Sequence, residues 1–221
     1  MGKGQAIGEG LFDITYLISV ITMGIIILCT CHTLESQLFG AMAVILGCGD
    51  AFHLIPRVWG LTHEGLDHYP RALGIGKLVT SITMTVFYLV FYFVLELRYD
   101  YVNDAMRYSM IALSILRIGL CLLPQNQWTK GEGNYTMGIV RNIPFFAIGI
   151  IIMVLCFKLA RSDPFMKLSW LAVFLSFLFY APVVLLVHKF KFVGMLMIPK
   201  TIVYLWLVIM GYQTYVGIRL N

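Results

Sequence analysis

The chain has 221 residues, 60% of them hydrophobic and 12% charged, with a net charge of +5 and a mean hydropathy of +0.85. Soluble domains run about 45–50% apolar and about 25% charged, so this composition excludes an ordinary soluble globule. The small, scattered positive charge also excludes a nucleic-acid-binding surface.

A helix that crosses a bilayer needs about 20 mainly apolar residues. Seven segments meet that need: residues 11–31, 38–59, 73–97, 103–123, 138–159, 164–189 and 192–218. The expectation is an all-α, polytopic integral membrane protein, a seven-transmembrane-helix bundle forming one domain over residues 1–221. Residues 1–10 are polar and Gly-rich and lack the layout of a cleaved signal, so the first helix is expected to act as its own insertion signal. Only the connections 60–71 and 124–137 are long. The second carries a polar run of turn formers, with Trp128 and Tyr135 suited to the membrane interface. It also holds the glycosylation sequon Asn134-Tyr135-Thr136. Cys29, Cys31, Cys48, Cys121 and Cys156 read as small buried hydrophobes, without disulfide or metal spacing.

The chemistry gathers in the second helix. Asp50, His53 and Arg57 are spaced i, i+3, i+7 and fall within roughly 60° of one helix face. Ionisable groups in a membrane span are expensive and turn toward the bundle interior. Seven crossings put the N-terminus on one side, A, together with the connections after the second, fourth and sixth helices. Side B holds the C-terminus. Arg57, Lys77, Arg117, Arg141, His188 and Lys200 all fall in the side-A half. So many cations require anions or water among them. Asp50 is the clearest buried carboxylate.

The expectation is therefore a hydrated basic vestibule open to side A. Asp50 forms its floor, and Lys200 faces Asp50 at similar depth. Arg57, Lys77, Arg117, Arg141 and Lys200 hold an anionic group, since guanidinium forks suit phosphate or carboxylate. Tyr180 and Tyr204 add hydroxyls. Asp50 and His53 orient the ligand, relay a proton or do acid–base chemistry. The plainer alternative is that Arg57, Lys77 and Arg141, near helix ends, snorkel to lipid phosphates. Another is a structural ion pair of Asp50 with Lys200 or Arg57. Pro144, Pro182 and Pro199 fall inside the fifth, sixth and seventh helices, where each frees a carbonyl.

Gly49-Asp50 in an early helix, then a third helix with Gly74 and Gly76 that ends in aromatics (Phe87, Tyr88), resembles the YhhN-type lysoplasmalogenase family. The resemblance covers about residues 38–93. It implies a multi-helix lipid hydrolase that cleaves the vinyl-ether bond of lysoplasmalogens, with Asp50 as its acid. Thr85 stands where that family has a histidine, and the last two helices hold no acidic residue to match its late Ser-Asp pair.

The reading that follows is a membrane protein that binds or transports an anionic amphiphile or small anion. Its partner is a membrane lipid or a small anionic ligand. The alternatives are a lysoplasmalogenase-like hydrolase, and a seven-helix receptor or retinal protein. A retinal would use Lys200 as a Schiff base. A receptor would couple through Arg161-Ser162-Asp163-Pro164 on side B. Asp50 and His53 supply two of the three or four ligands a zinc site needs and His188 could be a third, but Arg57 opposes the metal's charge, and the loop pair His63 and His68 lacks metal spacing, so no metal or cofactor is expected. With the site cations set aside, Lys and Arg lead narrowly on side B. That favours the cell membrane with the N-terminus outside. The sequence leaves the oligomeric state open.

Overall fold

The computed structural model describes residues 3–63, 65–130 and 133–217. The helices are α1 (Lys3–Thr30), α2 (Leu34–Thr62), α3 (Pro70–Arg98), α4 (Asp104–Leu122), α5 (Tyr135–Val140), α6 (Ile143–Leu159), α7 (Ser169–Leu186) and α8 (Met197–Tyr215). Short 3-10 turns cover Leu66–His68, Pro124–Asn126 and Lys191–Leu196. Seven helical segments are long and apolar enough to cross a membrane, α5 and α6 together making the fifth. No strand occurs among the described residues. The fold is an all-α seven-helix bundle, and the chain is a multi-pass membrane protein. Large apolar side chains such as Ile18, Ile25, Ile115, Ile150 and Leu178 point outward. Lipid tails accommodate such a surface, and helices satisfy their own backbone polar groups there.

Local chemistry starts several helices. Thr33, Asn103 and Asn134 each cap a helix by accepting a backbone N–H, from Ser36, Met106 and Met137 respectively. Around the bundle the order is α1, α2, α3, α4, α6, α7, α8, with α8 closing back onto α1 and α3 also packed on α6. The α2–α3 seam is the tightest. A Cβ at Gly49 would strike Thr83, and one at Gly76 would strike the Phe52 carbonyl and His53 Cα. Small residues let two membrane helices meet backbone to backbone. Gly74 in turn leaves room for the Trp128 carbonyl.

Several boundaries differ from the sequence reading. The first helix begins at Lys3, which brings Glu9 into helical register with Asp13. The fifth segment breaks at Arg141-Asn142. Pro144 lies in the first turn of α6, where its missing N–H costs nothing, and it cannot continue the preceding helix. Pro199 is the third residue of α8 and likewise starts a helix instead of opening one. Pro182 is interior to α7, and Pro56, which the sequence reading passed over, is interior to α2. The sixth helix begins at Ser169 because Asp163 accepts the Phe165 and Met166 amides at 3.0 and 2.9 Å and holds a turn there. Cys29 and Cys48 are exposed, unlike the buried Cys31, Cys121 and Cys156. Glu64, Ile218 and Arg219 lie outside the described residues.

A charged clasp closes side B. Arg98, at the end of α3, places Nη1 2.8 Å from Glu35 at the start of α2. Its Nη2 and Nε lie 2.6 and 2.7 Å from Asp163 in the α6–α7 turn. Tyr99 donates to Asp163, and Tyr215 at the end of α8 donates to Glu35. Arg98 thereby ties α3 to α2 and to the α6–α7 turn, and Glu35 ties α8 to them. Asp163 is buried in this clasp, so the tetrapeptide expected to offer a coupling surface has a structural role at that position.

Two predictions follow from the clasp. Arg98→Met leaves Glu35 and Asp163 without their cation, and such losses typically cost about 3–5 kcal/mol. Thermal melts of detergent-solubilised protein should register it; an unchanged melting temperature would remove the clasp from the account. The second concerns acid. Burial resists ionisation of Asp163, but the Met166 amide, the Arg98 guanidinium and the Phe165 amide outweigh it and hold the carboxyl below its usual range. A carboxylate so depressed stabilises the fold above its unfolded value of about 3.9 and loses that contribution as pH falls through the folded value. Melting temperature should drop as pH is lowered below about 4. Asp163→Asn should flatten that acid limb.

Candidate functional site

A cavity of about 290 Å³ opens at the side-A end of the bundle, among α2, α3, α4, α6, α7, α8 and the connections on that side. Arg57, Lys77, Arg117, Arg141 and Lys200 line it, with His53 and His188. Among the described residues of the lining there is no Asp or Glu. Met84, Phe145, Val183, Val184, Val187 and Met197 supply an apolar wall.

Arg117, in the side-A half of α4, is 2% exposed. Its Nη1 donates to Asn142 Oδ1 at 3.3 Å, its guanidinium carbon sits 3.5 Å from the Phe145 ring centre, and its Nε has no partner. Lys200 is 6% exposed, with Nζ 4.1 Å from the centre of the Tyr180 ring and 5.5 Å from that of Tyr204. Neither cation is ion-paired to a described carboxylate. Aromatic faces offset some of the charge, but less than a carboxylate does.

The break between α5 and α6 organises the arginines. Asn142 Oδ1 accepts from both Arg117 and the Tyr180 hydroxyl, the latter at 3.0 Å, while its Nδ2 donates to the Gly138 carbonyl. Next to it, Arg141 donates from Nη1 to Asn126 Oδ1 at 2.8 Å and stacks 4.1 Å above Trp128. Asn126 also donates to the Leu120 and Leu123 carbonyls at the end of α4. Trp128 lines the cavity and donates to the Cys121 carbonyl.

The sequence-derived site is partly assembled here. His53, Arg57, Lys77, Arg117, Arg141, Tyr180 and Lys200 share the lining, whereas Asp50 and Tyr204 do not belong to it. Asp50 is not the floor: it turns toward α1, where the Tyr16 hydroxyl donates to its Oδ2 at 2.8 Å. Lys200 and Asp50 remain within electrostatic reach, but no ion pair joins them. Tyr204 is held in the aromatic core by Tyr88, 3.2 Å between hydroxyls. Arg57 lines the cavity yet is paired at 2.5 Å with Glu9. Lys77 is exposed at the cavity rim.

Sequence reasoning missed the acidic face of α1. Glu9, Asp13 and Tyr16 recur at i, i+4, i+7, which puts them on one stripe. That spacing was readable once the helix was extended through residues 3–10. Asn142 was missed as well, because an asparagine before Ile-Pro carries no motif. Among the described residues no three His, Cys, Asp or Glu side chains gather as metal ligands. His63 stacks on Trp59 with ring centres 4.0 Å apart.

An arrangement of buried cations, neutral hydrogen-bonding groups and an apolar wall can receive the charged head of a molecule and part of its chain. Comparison with protein-family models, with curated proteins and with solved structures returned no match.

Proposed function

We propose that the protein binds an anionic amphiphile in the side-A cavity. Arg117 and Lys200 take the charged group, Arg57, Lys77 and Arg141 guide it from the mouth, and the valine and methionine wall receives the chain. The observation that carries this reading is the burial of Arg117 and Lys200 in a cavity whose described lining holds no carboxylate. An uncompensated buried ion costs several kcal/mol, and an anion entering the cavity offsets that cost for both at once. Tyr180 and Asn142 line the cavity beside the cations as neutral polar groups, hydrogen-bonded to one another.

The same geometry weighs against hydrolysis by Asp50, which Tyr16 holds outside the lining. It weighs against a retinal as well, because no described carboxylate lines the cavity to balance a protonated Schiff base on Lys200. In the cell membrane, the charge count favours an N-terminus outside, so the cavity would accept its ligand from the outer face.

Thermal melts in a neutral detergent test the proposal. Decanesulfonate, decanol and inorganic sulfate separate an amphiphile from its chain and its head. Decanesulfonate at about 100 times its Kd should stabilise the protein by about 2.7 kcal/mol. Sulfate should act weakly and decanol not at all. Arg117→Met should melt no lower than the native protein without ligand, since it removes an unpaired charge, and should lose the response. Equal responses to decanol and decanesulfonate would refute the anionic reading. A response to sulfate as large as that to decanesulfonate would make the ligand a small anion.

A further inference from the structure

Behind the cavity wall lies a second polar compartment, between α1 and α2. Glu9, Asp13 and Tyr16 face it from α1, and Asp50 and Arg57 from α2. Asp13 is 5% exposed, its Oδ2 has no hydrogen-bond partner, and it borders a small apolar cavity of about 140 Å³ beside Leu17, Leu54 and Val58. Asp13 is within electrostatic reach of Glu9, Asp50 and Arg57. Three carboxylates thus share a narrow seam in a membrane protein.

Two cations serve both compartments. Arg57 pairs with Glu9 in the seam and also lines the cavity. Lys200 lines the cavity and acts electrostatically on Asp50. An anion that enters the cavity draws on the same two charges. Each carboxylate then has less compensation, and a carboxylate short of positive charge takes up a proton.

We propose that the α1–α2 seam is a proton-accepting site coupled to the cavity, so that an anion binds together with a proton shared among Glu9, Asp13 and Asp50. The inference rests on the anion-binding reading above. The groups that face the seam are Tyr16 from α1 and Asp50 and Arg57 from α2; Lys200 and Tyr204 from α8 lie within electrostatic reach of Asp50, and His53 of α2 faces the cavity. Lys77 of α3 acts on His53 from the far side of α2. Asp67 and His68 lie exposed on the turn that follows α2. Of these, His53 and the cavity's His188 are the competing proton acceptors, because an anion would charge them directly.

The sign is fixed by linkage. If binding takes up one proton, affinity rises as pH falls, by about tenfold per pH unit where the acceptor titrates. Decanesulfonate is the probe, since its head keeps a fixed charge and any proton counted comes from the protein. Its Kd would be measured by calorimetry from pH 5 to 8, with proton uptake followed by an indicator dye in weak buffer. Native protein should take up a proton on binding and bind more weakly as pH rises. Glu9→Gln, Asp13→Asn and Asp50→Asn should each reduce the pH slope, and the triple variant should abolish it. Asp13→Asn is the variant chosen to keep the fold, because the oxygen it changes has no partner.

Binding with no proton uptake overturns the coupling while leaving the anion site standing. A pH slope that survives in Asp13→Asn and in the other folded seam variants assigns the proton to His53 or His188 and overturns it too. No binding at any pH overturns the site itself.

Discussion

Two charged side chains, Arg117 and Lys200, lie almost out of solvent in an apolar bundle, and among the described residues no carboxylate lies against either. Everything around them is arranged to make that tolerable. Phe145 and Tyr180 turn their faces to the charges, and Asn142 offers an oxygen at the one place where the helix is interrupted. That interruption comes just before Pro144, whose missing N–H fits the first turn of α6.

The two ends of the bundle treat charge differently. At side B, Arg98 is met by two carboxylates, each of which also accepts a tyrosine hydroxyl, and the result is a fastening between helix ends. At side A, the cations line a cavity and the acids stand behind its wall. The first arrangement is complete in itself and leaves nothing for a ligand to do. The second leaves positive charge that a ligand can meet. Fully paired charge holds a fold together, and incompletely paired charge is what a binding site is made of.

Much of the fold was readable because hydropathy dictates it. Seven apolar segments in the sequence became seven spans, since each backbone must satisfy itself in lipid. The grouping of His53, Arg57, Arg117, Arg141 and Lys200 was readable from depth alone, which follows from counting residues along helices. Direction was not. Asp50 and Arg57 share nearly one azimuth on α2 and both face α1, while His53, some 60° around, faces the cavity. The choice between those faces depends on which helix packs where, and that is set by Gly49 and Gly76 bringing α3 against α2. Glu9 stayed hidden because the polar, Gly-rich residues 1–10 fell outside the segment expected to be helical, although helix needs only a packed face to persist there; Asp13 lay inside that segment without a partner to reveal it.

The placement of α2 is what links these parts. It is the wall shared by the cavity and the acidic seam, and Arg57 near its end belongs to both. A wall of purely apolar residues would insulate the compartments from one another. A wall that carries His53 on one face and Asp50 on another, about one helical turn apart, cannot, because Coulomb forces between groups a few ångströms apart in low dielectric are not screened. Any charge that enters the cavity is therefore felt by Glu9, Asp13 and Asp50. Any proton that enters the seam is felt in turn by Arg57 and Lys200. That mutual influence needs no moving part, since the position of α2 between two packed neighbours supplies it.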